Sequence, residues 1–212
     1  MRIVAILILI FPFISFGQKD DDYDIYKKAI IHQFKTWEID IDTIPTIVIT
    51  DNLTSFSKMR EIRSLPDLIF NKDKSLRSSY VDHDSILFIT TYDKEFEALF
   101  KGFSDNYTRK TNLNAENISF RNTDVIVVTN EKIERQFSKN RIKQLDRAWS
   151  RFYENYTRYG YFEFSDVFYS DNFAIMYMVR RASPLNGKGS IVIFKRINNN
   201  WVYFDEIEVW FA

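Results

Sequence analysis

The feature that most constrains the fold of this chain is a change of hydrophobic periodicity at Tyr156. Several segments before it repeat apolar residues at helical spacing, and after it the pattern is strand-like to the C-terminus. Strands separated by short polar turns are predicted over 159–169, 173–181, 190–196 and 201–211. The second of them is apolar at both alternating sets of positions. It is therefore predicted to be central in an antiparallel meander, with helices covering one face of the sheet.

The N-terminal part predicts helices and short strands. An acidic segment opens a helix that begins near Asp20 and ends near Trp37. Trp149 is predicted to pack between the last helix and the sheet, whereas residues 51–84 give no clear pattern. The predicted fold is α+β, with helices and short strands up to about Tyr156 packed on a C-terminal four-stranded antiparallel β-meander. The short N-terminal strands are predicted over 46–50, 85–91 and 124–129.

The first seventeen residues have the features of a secretory signal peptide. A positively charged residue precedes an apolar run over 3–16, and Ser15 and Gly17 place small residues before a cleavage site. This run is too short to span a bilayer comfortably. We therefore expect cleavage between Gly17 and Gln18, a periplasmic or secreted protein, and no membrane span after cleavage. Residues 18–212 are expected to form a single α+β domain.

Composition narrows the classes of function. The chain has no cysteine, which excludes disulfides, thiolate metal sites and thiol nucleophiles. Its 29 basic and 29 acidic residues balance and are scattered, so no basic field is expected to attract nucleic acid. Its 20 Phe, 12 Tyr and 4 Trp are expected to form the core, because each aromatic side chain buries a large apolar area.

Two carboxylates in the predicted meander are the candidate catalytic residues. Asp166 follows two phenylalanines at strand alternation, which places it on an aromatic face where burial would raise the pKa of an unpartnered carboxyl. A β-bulge that turns it outward, or a salt bridge to Arg180 or Arg181, would relieve that cost. Glu206 interrupts the apolar pattern of the last strand. If Asp166 and Glu206 met in one cleft, they could divide the acid and base roles of glycoside hydrolysis.

Other motifs point to structure more than to chemistry. His32 lies in the first predicted helix, opposite much of its apolar stripe, and is expected to be exposed. His83 lies between two aspartates, but adjacent ligands rarely meet one ion and no spaced histidine pair supports a metal site. Gly187-Lys188-Gly189 precedes a strand rather than a helix, so it predicts a hairpin turn whose glycines supply positive φ or close backbone approach. No metal or cofactor is therefore expected.

A series of aromatic, glycine and small residues characterises the second half of the chain. The series is Val125-Ile126-Val127-Val128, Phe137, Trp149-x-x-Phe152-Tyr153-x-x-Tyr156, Gly160, Phe164-Ser165, Ala174-x-x-Tyr177, Gly187-x-Gly189, Trp201 and Trp210-Phe211. In this order it resembles a family of uncharacterised secreted proteins from the Bacteroidetes lineage. The resemblance covers roughly the last ninety residues and, more loosely, the strand at 47–49 with Thr54. It implies export and fold rather than chemistry, because no activity is established for that family.

Three functions are compatible with these observations. The leading hypothesis is a non-enzymatic periplasmic or secreted protein that binds an unknown protein or small-molecule ligand, since the chain combines an export signal with neutral charge and no recognisable catalytic motif. The first alternative is a small secreted hydrolase that uses paired carboxylates such as Asp166 and Glu206. The second is an envelope structural protein, which would expose an apolar patch and self-associate.

Overall fold

The computed structural model describes residues 18–53, 94–107, 113–138 and 142–212. These residues form one mixed β-sheet with helices on both of its faces. The helices are α1 (Gln18–Lys35), α2 (Lys94–Asn106), α3 (Asn130–Phe137) and α4 (Ile142–Asn155). The strands are β1 (Thr46–Thr50), β2 (Asp124–Val128), β3 (Tyr161–Phe164), β4 (Phe168–Tyr169), β5 (Phe173–Ser183), β6 (Asn186–Ile197) and β7 (Asn200–Phe211).

The strand order across the sheet is β2-β1-β3-β5-β6-β7, and the short strand β4 also pairs with β5. β1 runs parallel to both β2 and β3, whereas the other pairs are antiparallel. The α+β class is therefore confirmed. The prediction of a four-stranded antiparallel meander is wrong in detail, because β1 and β2 extend the C-terminal strands into a mixed sheet. β1 is almost entirely buried, and such a strand needs neighbours on both sides and cover on both faces.

The first predicted strand of the C-terminal half is interrupted. Residues 165–167 separate β3 from β4, although both strands pair with β5. Phe164 is opposite Met178 and Phe168 is opposite Ile175, so the segment between them carries one residue more than β5 does. An extra residue in one strand is a β-bulge, which bends the strand locally. β3 and β4 are therefore two parts of one bulged strand.

One face of the sheet, which we call the α1 face, is covered by α1. The Tyr26 ring of α1 stacks on Phe164 with 4.9 Å between the ring centroids, and its hydroxyl donates to the Ser165 carbonyl oxygen at 3.1 Å. The apolar residues on this face form one continuous core. They include Ile25, Tyr26, Ala29, Ile30, Phe34, Ile47, Ile49, Phe162, Phe164, Ala174, Met176, Met178, Val192, Phe194 and Trp201.

The opposite face, which we call the cleft face, carries two apolar clusters. α2 packs on β5, β6 and β7 through Phe96, Phe100 and Phe103, whose helical spacing the sequence shows. α3 and α4 pack around Trp149 and Tyr161, together with residues of β1 and β2. Among the described residues these two clusters are separate. The cleft face therefore has two small cores where the α1 face has one.

β5 is a central strand, as predicted. Its side chains alternate between the two faces of the sheet. The expectation that helices cover one face is corrected, because a strand that is apolar at both sets of positions must be covered on both sides. Ala174, Met176 and Met178 belong to the core of the α1 face, and Phe173, Ile175, Tyr177 and Val179 to the cluster under α2.

Local signals place the helix boundaries well. α1 ends at Lys35, just before the predicted end at Trp37. Thr129 is the N-cap of α3, where its hydroxyl oxygen accepts from the Lys132 backbone N–H at 3.4 Å. α3 ends at Phe137, and α4 begins at Ile142.

Some predictions fall outside the described residues. They are the signal peptide over 1–17, the strand over 85–91 and the loop that carries His83. Within the part of the chain that the structure describes, no helix is both long enough and apolar enough to cross a membrane.

Candidate functional site

A cavity of about 240 Å³ lies on the cleft face, where α3 and α4 meet β3 and the turn between β5 and β6. Most of its lining is aromatic or aliphatic, and one lining side chain carries a charge. An apolar wall with few polar groups is typical of small-molecule sites. We call it the Trp149 cavity, and it is lined by Phe137, Leu145, Trp149, Tyr161, Arg181, Ser183 and Pro184.

The helix side of the cavity is a wall of packed aromatic rings. Trp149 is only 4% exposed, which confirms its predicted packing between helix and sheet. Its ring lies nearly parallel to that of Tyr161 on β3, at 16° and 5.9 Å between the centroids. Its centroid is 4.6 Å from that of Phe137 at the end of α3. Rings at these distances attract and confine each other, so the wall is preformed.

A buried ion pair lies beside the cavity. Glu163 on β3 has no exposed surface, and its Oε1 is 3.7 Å from Nε of Arg181 on β5. The Arg181 side chain lines the cavity and is 22% exposed. Burying a carboxylate is costly unless a cation and hydrogen bonds compensate it. The pairing with Glu163 therefore holds Arg181 at this edge of the cavity.

Trp210 on β7 restrains Arg181 from another side. The guanidinium carbon of Arg181 lies 4.6 Å from the centroid of the Trp210 ring, a cation–π contact. The Trp210 indole N–H donates to the hydroxyl oxygen of Tyr177 at 2.7 Å. Burial raises the pKa of Tyr177, so that hydroxyl stays protonated at neutral pH. Arg181 thus connects the Trp149 cavity to the cluster under α2.

Tyr161 also keeps its proton at neutral pH. Burial raises the pKa of Tyr161 well above its ordinary value, and the Glu163 carboxylate adds to this effect while Arg181 opposes it. A protonated phenol can donate and accept hydrogen bonds but cannot act as a base. Among the described residues that line the cavity there is no carboxylate and no histidine. The polar groups of the lining therefore suit recognition more than catalysis.

The structure does not bring the two predicted carboxylates together. Asp166 is half-buried in the bulge between β3 and β4, and its carbonyl oxygen accepts from the Ser165 hydroxyl at 2.7 Å. Glu206 lies on β7 and forms an ion pair with Lys188 of β6. Because β5 and β6 lie between the two acids, three strand spacings of about 4.8 Å separate their backbones by roughly 14 Å. The carboxyl groups of glycosidases lie closer, about 5 to 9.5 Å apart.

Arg180 and Arg181, the two candidate salt-bridge partners of Asp166, both make other contacts. Arg181 pairs with Glu163, as described above. The guanidinium carbon of Arg180 lies 3.5 Å from the centroid of the Trp37 ring, and its Nη2 donates to the Tyr159 carbonyl oxygen at 3.2 Å. Burial lowers the pKa of Arg180 to about 10, which still leaves it charged at neutral pH. The two side chains thus lie on opposite faces of β5.

His32 is half-buried, where the sequence predicts exposure. Its ring stacks on Tyr203 of β7, with 3.4 Å between the centroids and 12° between the planes. Burial lowers the pKa of His32, Lys188 and Lys35 lower it further, and the Glu206 carboxylate opposes them. The prediction of exposure fails because β7 packs against the side of α1 that carries His32.

Gly187-Lys188-Gly189 lies within β6 and not in the turn that precedes it. Neither glycine has positive φ. A Cβ atom on Gly189 would overlap the Trp210 indole nitrogen and the Tyr177 hydroxyl. Of the two roles predicted for these glycines, close approach is therefore the one the structure shows. The predicted hairpin turn lies between Ser183 and Asn186.

Sequence reasoning misses Glu163, the buried acid beside the cavity. The alternation that places Asp166 with Phe162 and Phe164 places Glu163 with Tyr161 on the other side of the strand. With helices expected on one face only, the sequence gives no reason to expect a buried acid on that other side. A charged residue in a strand between two aromatic neighbours is the signal that could have identified it.

The described residues contain no group of three or more His, Asp or Glu side chains that could hold a metal ion. Family models, curated proteins and solved structures give no match to this chain. The Trp149 cavity and its buried ion pair are therefore the features from which a function can be inferred.

Proposed function

We propose that this chain is an exported protein that binds a small, flat and largely apolar ligand in the Trp149 cavity. One observation carries the proposal: an aromatic wall borders a cavity of about 240 Å³ in which Arg181, paired with Glu163, supplies a cationic group. Apolar cavities with a few convergent polar groups are the usual form of small-molecule sites. The proposed activity is binding without chemistry.

The lining indicates the shape and polarity of the ligand. The rings of Trp149 and Tyr161 differ by only 16° in orientation, so a flat ring that stacks on one of them is nearly parallel to both. The Arg181 guanidinium can donate hydrogen bonds to a carbonyl or carboxylate oxygen. Because Glu163 already balances part of its charge, a neutral acceptor is sufficient. A ligand with an unsaturated ring and one hydrogen-bond acceptor fits this arrangement.

The two alternatives receive less support. A hydrolase based on Asp166 and Glu206 needs the two acids in one cleft, whereas two strands lie between them and Lys188 holds Glu206. An envelope structural role needs a contiguous apolar surface. Among the described residues, the exposed apolar side chains Ile126 on β2 and Val202 on β7 lie on opposite edge strands of the sheet.

Export to the periplasm or beyond is part of the proposal, as is membership of the secreted Bacteroidetes family. Export is supported by the charge, apolar run and small residues of the first seventeen positions. Family membership is supported by the order of aromatic and glycine residues from Val125 to Phe211. Both agree with a small binding protein of the cell envelope.

A fluorescent probe tests the cavity directly. N-phenyl-1-naphthylamine, a neutral aromatic probe, should bind the wild-type protein with increased emission. Leu145→Trp adds volume to the lining and should abolish that increase. Leu185→Trp is the matched control, because Leu185 is 83% exposed and lies outside the cavity. Equal probe binding by wild type and Leu145→Trp, with unchanged circular dichroism, would contradict the proposal.

Native mass spectrometry of the protein from the envelope and secreted fractions of its host tests export and occupancy together. A mass that corresponds to residues 18–212 supports cleavage after Gly17, and a retained small molecule supports binding. Absence of the chain from both fractions, with an uncleaved chain in a parallel cytoplasmic sample, would contradict export without bearing on the cavity.

A further inference from the structure

A second concave surface lies between α3 and α4, on their exposed side. The Gln136 side-chain amide of α3 donates to the Ala148 carbonyl oxygen of α4 at 3.0 Å, which holds the two helices together at this point. The space between them measures about 410 Å³. We call it the basic groove, because its walls carry Lys132 and Arg135 on α3 and Arg147 and Arg151 on α4.

The basic groove concentrates positive charge in a chain whose 29 basic and 29 acidic residues balance. None of its lining residues in the described part of the chain is a carboxylate. Arg147 and Arg151 are exposed and have no ion-pair partner among the described residues. Arg135 contacts Glu131 at 2.6 Å, but the two side chains are 75% and 78% exposed, so that pair is weak. Most of the positive charge in the groove is therefore uncompensated.

The spacing of the cations suits a tetrahedral oxyanion. Arg147 and Arg151 are separated by one helical turn, which places both side chains on the same side of α4. Arg135 approaches from α3, on the opposite wall. Guanidinium groups bind phosphate and sulfate oxygens through paired hydrogen bonds. The Gln144 amide lies on the α4 wall with the two arginines and can form a hydrogen bond with a hydroxyl group of the ligand.

We propose that the basic groove binds a small ligand that carries phosphate or sulfate groups. The α4 wall from Gln144 to Asn155 is roughly 17 Å long at 1.5 Å per residue, a length that accommodates a few sugar-sized units. A long polyanion would need a basic surface that continues beyond the groove, which the neutral charge of the chain disfavours. The groove and the Trp149 cavity share no lining residue, so this site is independent of the function proposed above.

Isothermal titration calorimetry with two probes tests the proposal. The probes are inorganic pyrophosphate and a sulfated disaccharide. The wild-type protein should bind at least one of them at low salt, and added salt should weaken the binding. Tighter binding of pyrophosphate identifies phosphate as the preferred group, and tighter binding of the disaccharide identifies sulfate. No heat of binding from either probe at low salt would overturn the proposal.

Matched double variants then locate the site. Arg147→Gln with Arg151→Gln should weaken binding by about tenfold or more, because each substitution removes charge-assisted hydrogen bonds. Arg121→Gln with Arg196→Gln removes the same charge at exposed positions outside the groove and should change binding by no more than about twofold. Equal losses in the two double variants, with unchanged thermal unfolding, would mean that the probes bind through overall charge and not in the groove.

Discussion

The α1 face and the cleft face of the sheet are covered in different ways. On the α1 face one helix packs on a continuous apolar core, in which Tyr26 and Phe164 are fully buried. On the cleft face α2 covers one cluster, and α3 with α4 covers another. Glu163 lies between Val179 of the first cluster and Tyr161 of the second.

The difference shows how one sheet can combine a continuous core with a candidate binding site. Under α1 the apolar side chains form one continuous core, packed at the density usual for protein interiors. Where two helical units cover separate parts of a face, their side chains leave a gap that neither unit fills. On the cleft face that gap contains an ion pair and borders a cavity. Substitutions on the α1 face should therefore act on stability, and those beside the Trp149 cavity on stability and binding together.

The largest expected effect is that of Phe164→Ala on the α1 face. Phe164 has no exposed surface and stacks on Tyr26, so its truncation should lower the free energy of unfolding by about 4 to 5 kcal/mol. Trp149→Ala on the cleft face should cost less, about 3 kcal/mol, because one side of the indole already borders a cavity. Urea denaturation measures both. A larger loss of unfolding free energy for Trp149→Ala than for Phe164→Ala would contradict the view that the α1 face is the more tightly packed of the two.

Glu163→Gln should lower the free energy of unfolding by about 3 kcal/mol, because it leaves the partly buried Arg181 without its carboxylate. The double variant Glu163→Leu with Arg181→Met should recover much of that loss, since an apolar pair of similar volume needs no desolvation of charge. Denaturation of wild type and both variants tests this. A loss below about 0.5 kcal/mol for Glu163→Gln would show that the pair is solvated.

Gly189→Ala should lower the free energy of unfolding by about 2 kcal/mol, because the added Cβ forces the Trp210 and Tyr177 side chains away from residue 189. The change should also alter the tryptophan fluorescence of the folded protein. Gly102→Ala is the matched control: nothing lies within 4 Å of the added atom on α2, and alanine favours helix by about 0.5 to 1 kcal/mol. If both variants lose stability equally, Trp210 does not lie against Gly189 in solution.

The smallest expected effect is a pH dependence from His32. Burial lowers the pKa of His32 below its ordinary 6.5, so below that pH the unfolded chain binds more protons than the folded chain. The wild type should therefore lose stability as pH falls below 6.5, and His32→Gln should lose less over the same range. Above pH 6.5 the imidazole is neutral in both the folded and the unfolded chain, so the stabilities of the two proteins should change with pH in the same way. Urea midpoints across pH measure the difference, and identical pH profiles would contradict it.

Local sequence patterns determined the elements of this fold and most of the buried surfaces. The helical spacing of Phe96, Phe100 and Phe103, the buried position of Trp149, and the central placement of the strand that begins at Phe173 all follow from periodicity. Periodicity succeeds here because the direction of a side chain depends on its own helix or strand. Composition likewise determined that the core is aromatic and that no disulfide can support it.

Only the tertiary structure decided which elements pair, and hence where the candidate site lies. β1 joins β3 in parallel although more than a hundred residues separate them, and β7 packs against α1 and shields His32. The buried acid is Glu163 and not Asp166, because helices cover both faces of the sheet and Asp166 lies in a bulge that interrupts the strand. Pairing and burial depend on residues far apart in the sequence, so a local pattern determines the direction of a side chain but not what it meets.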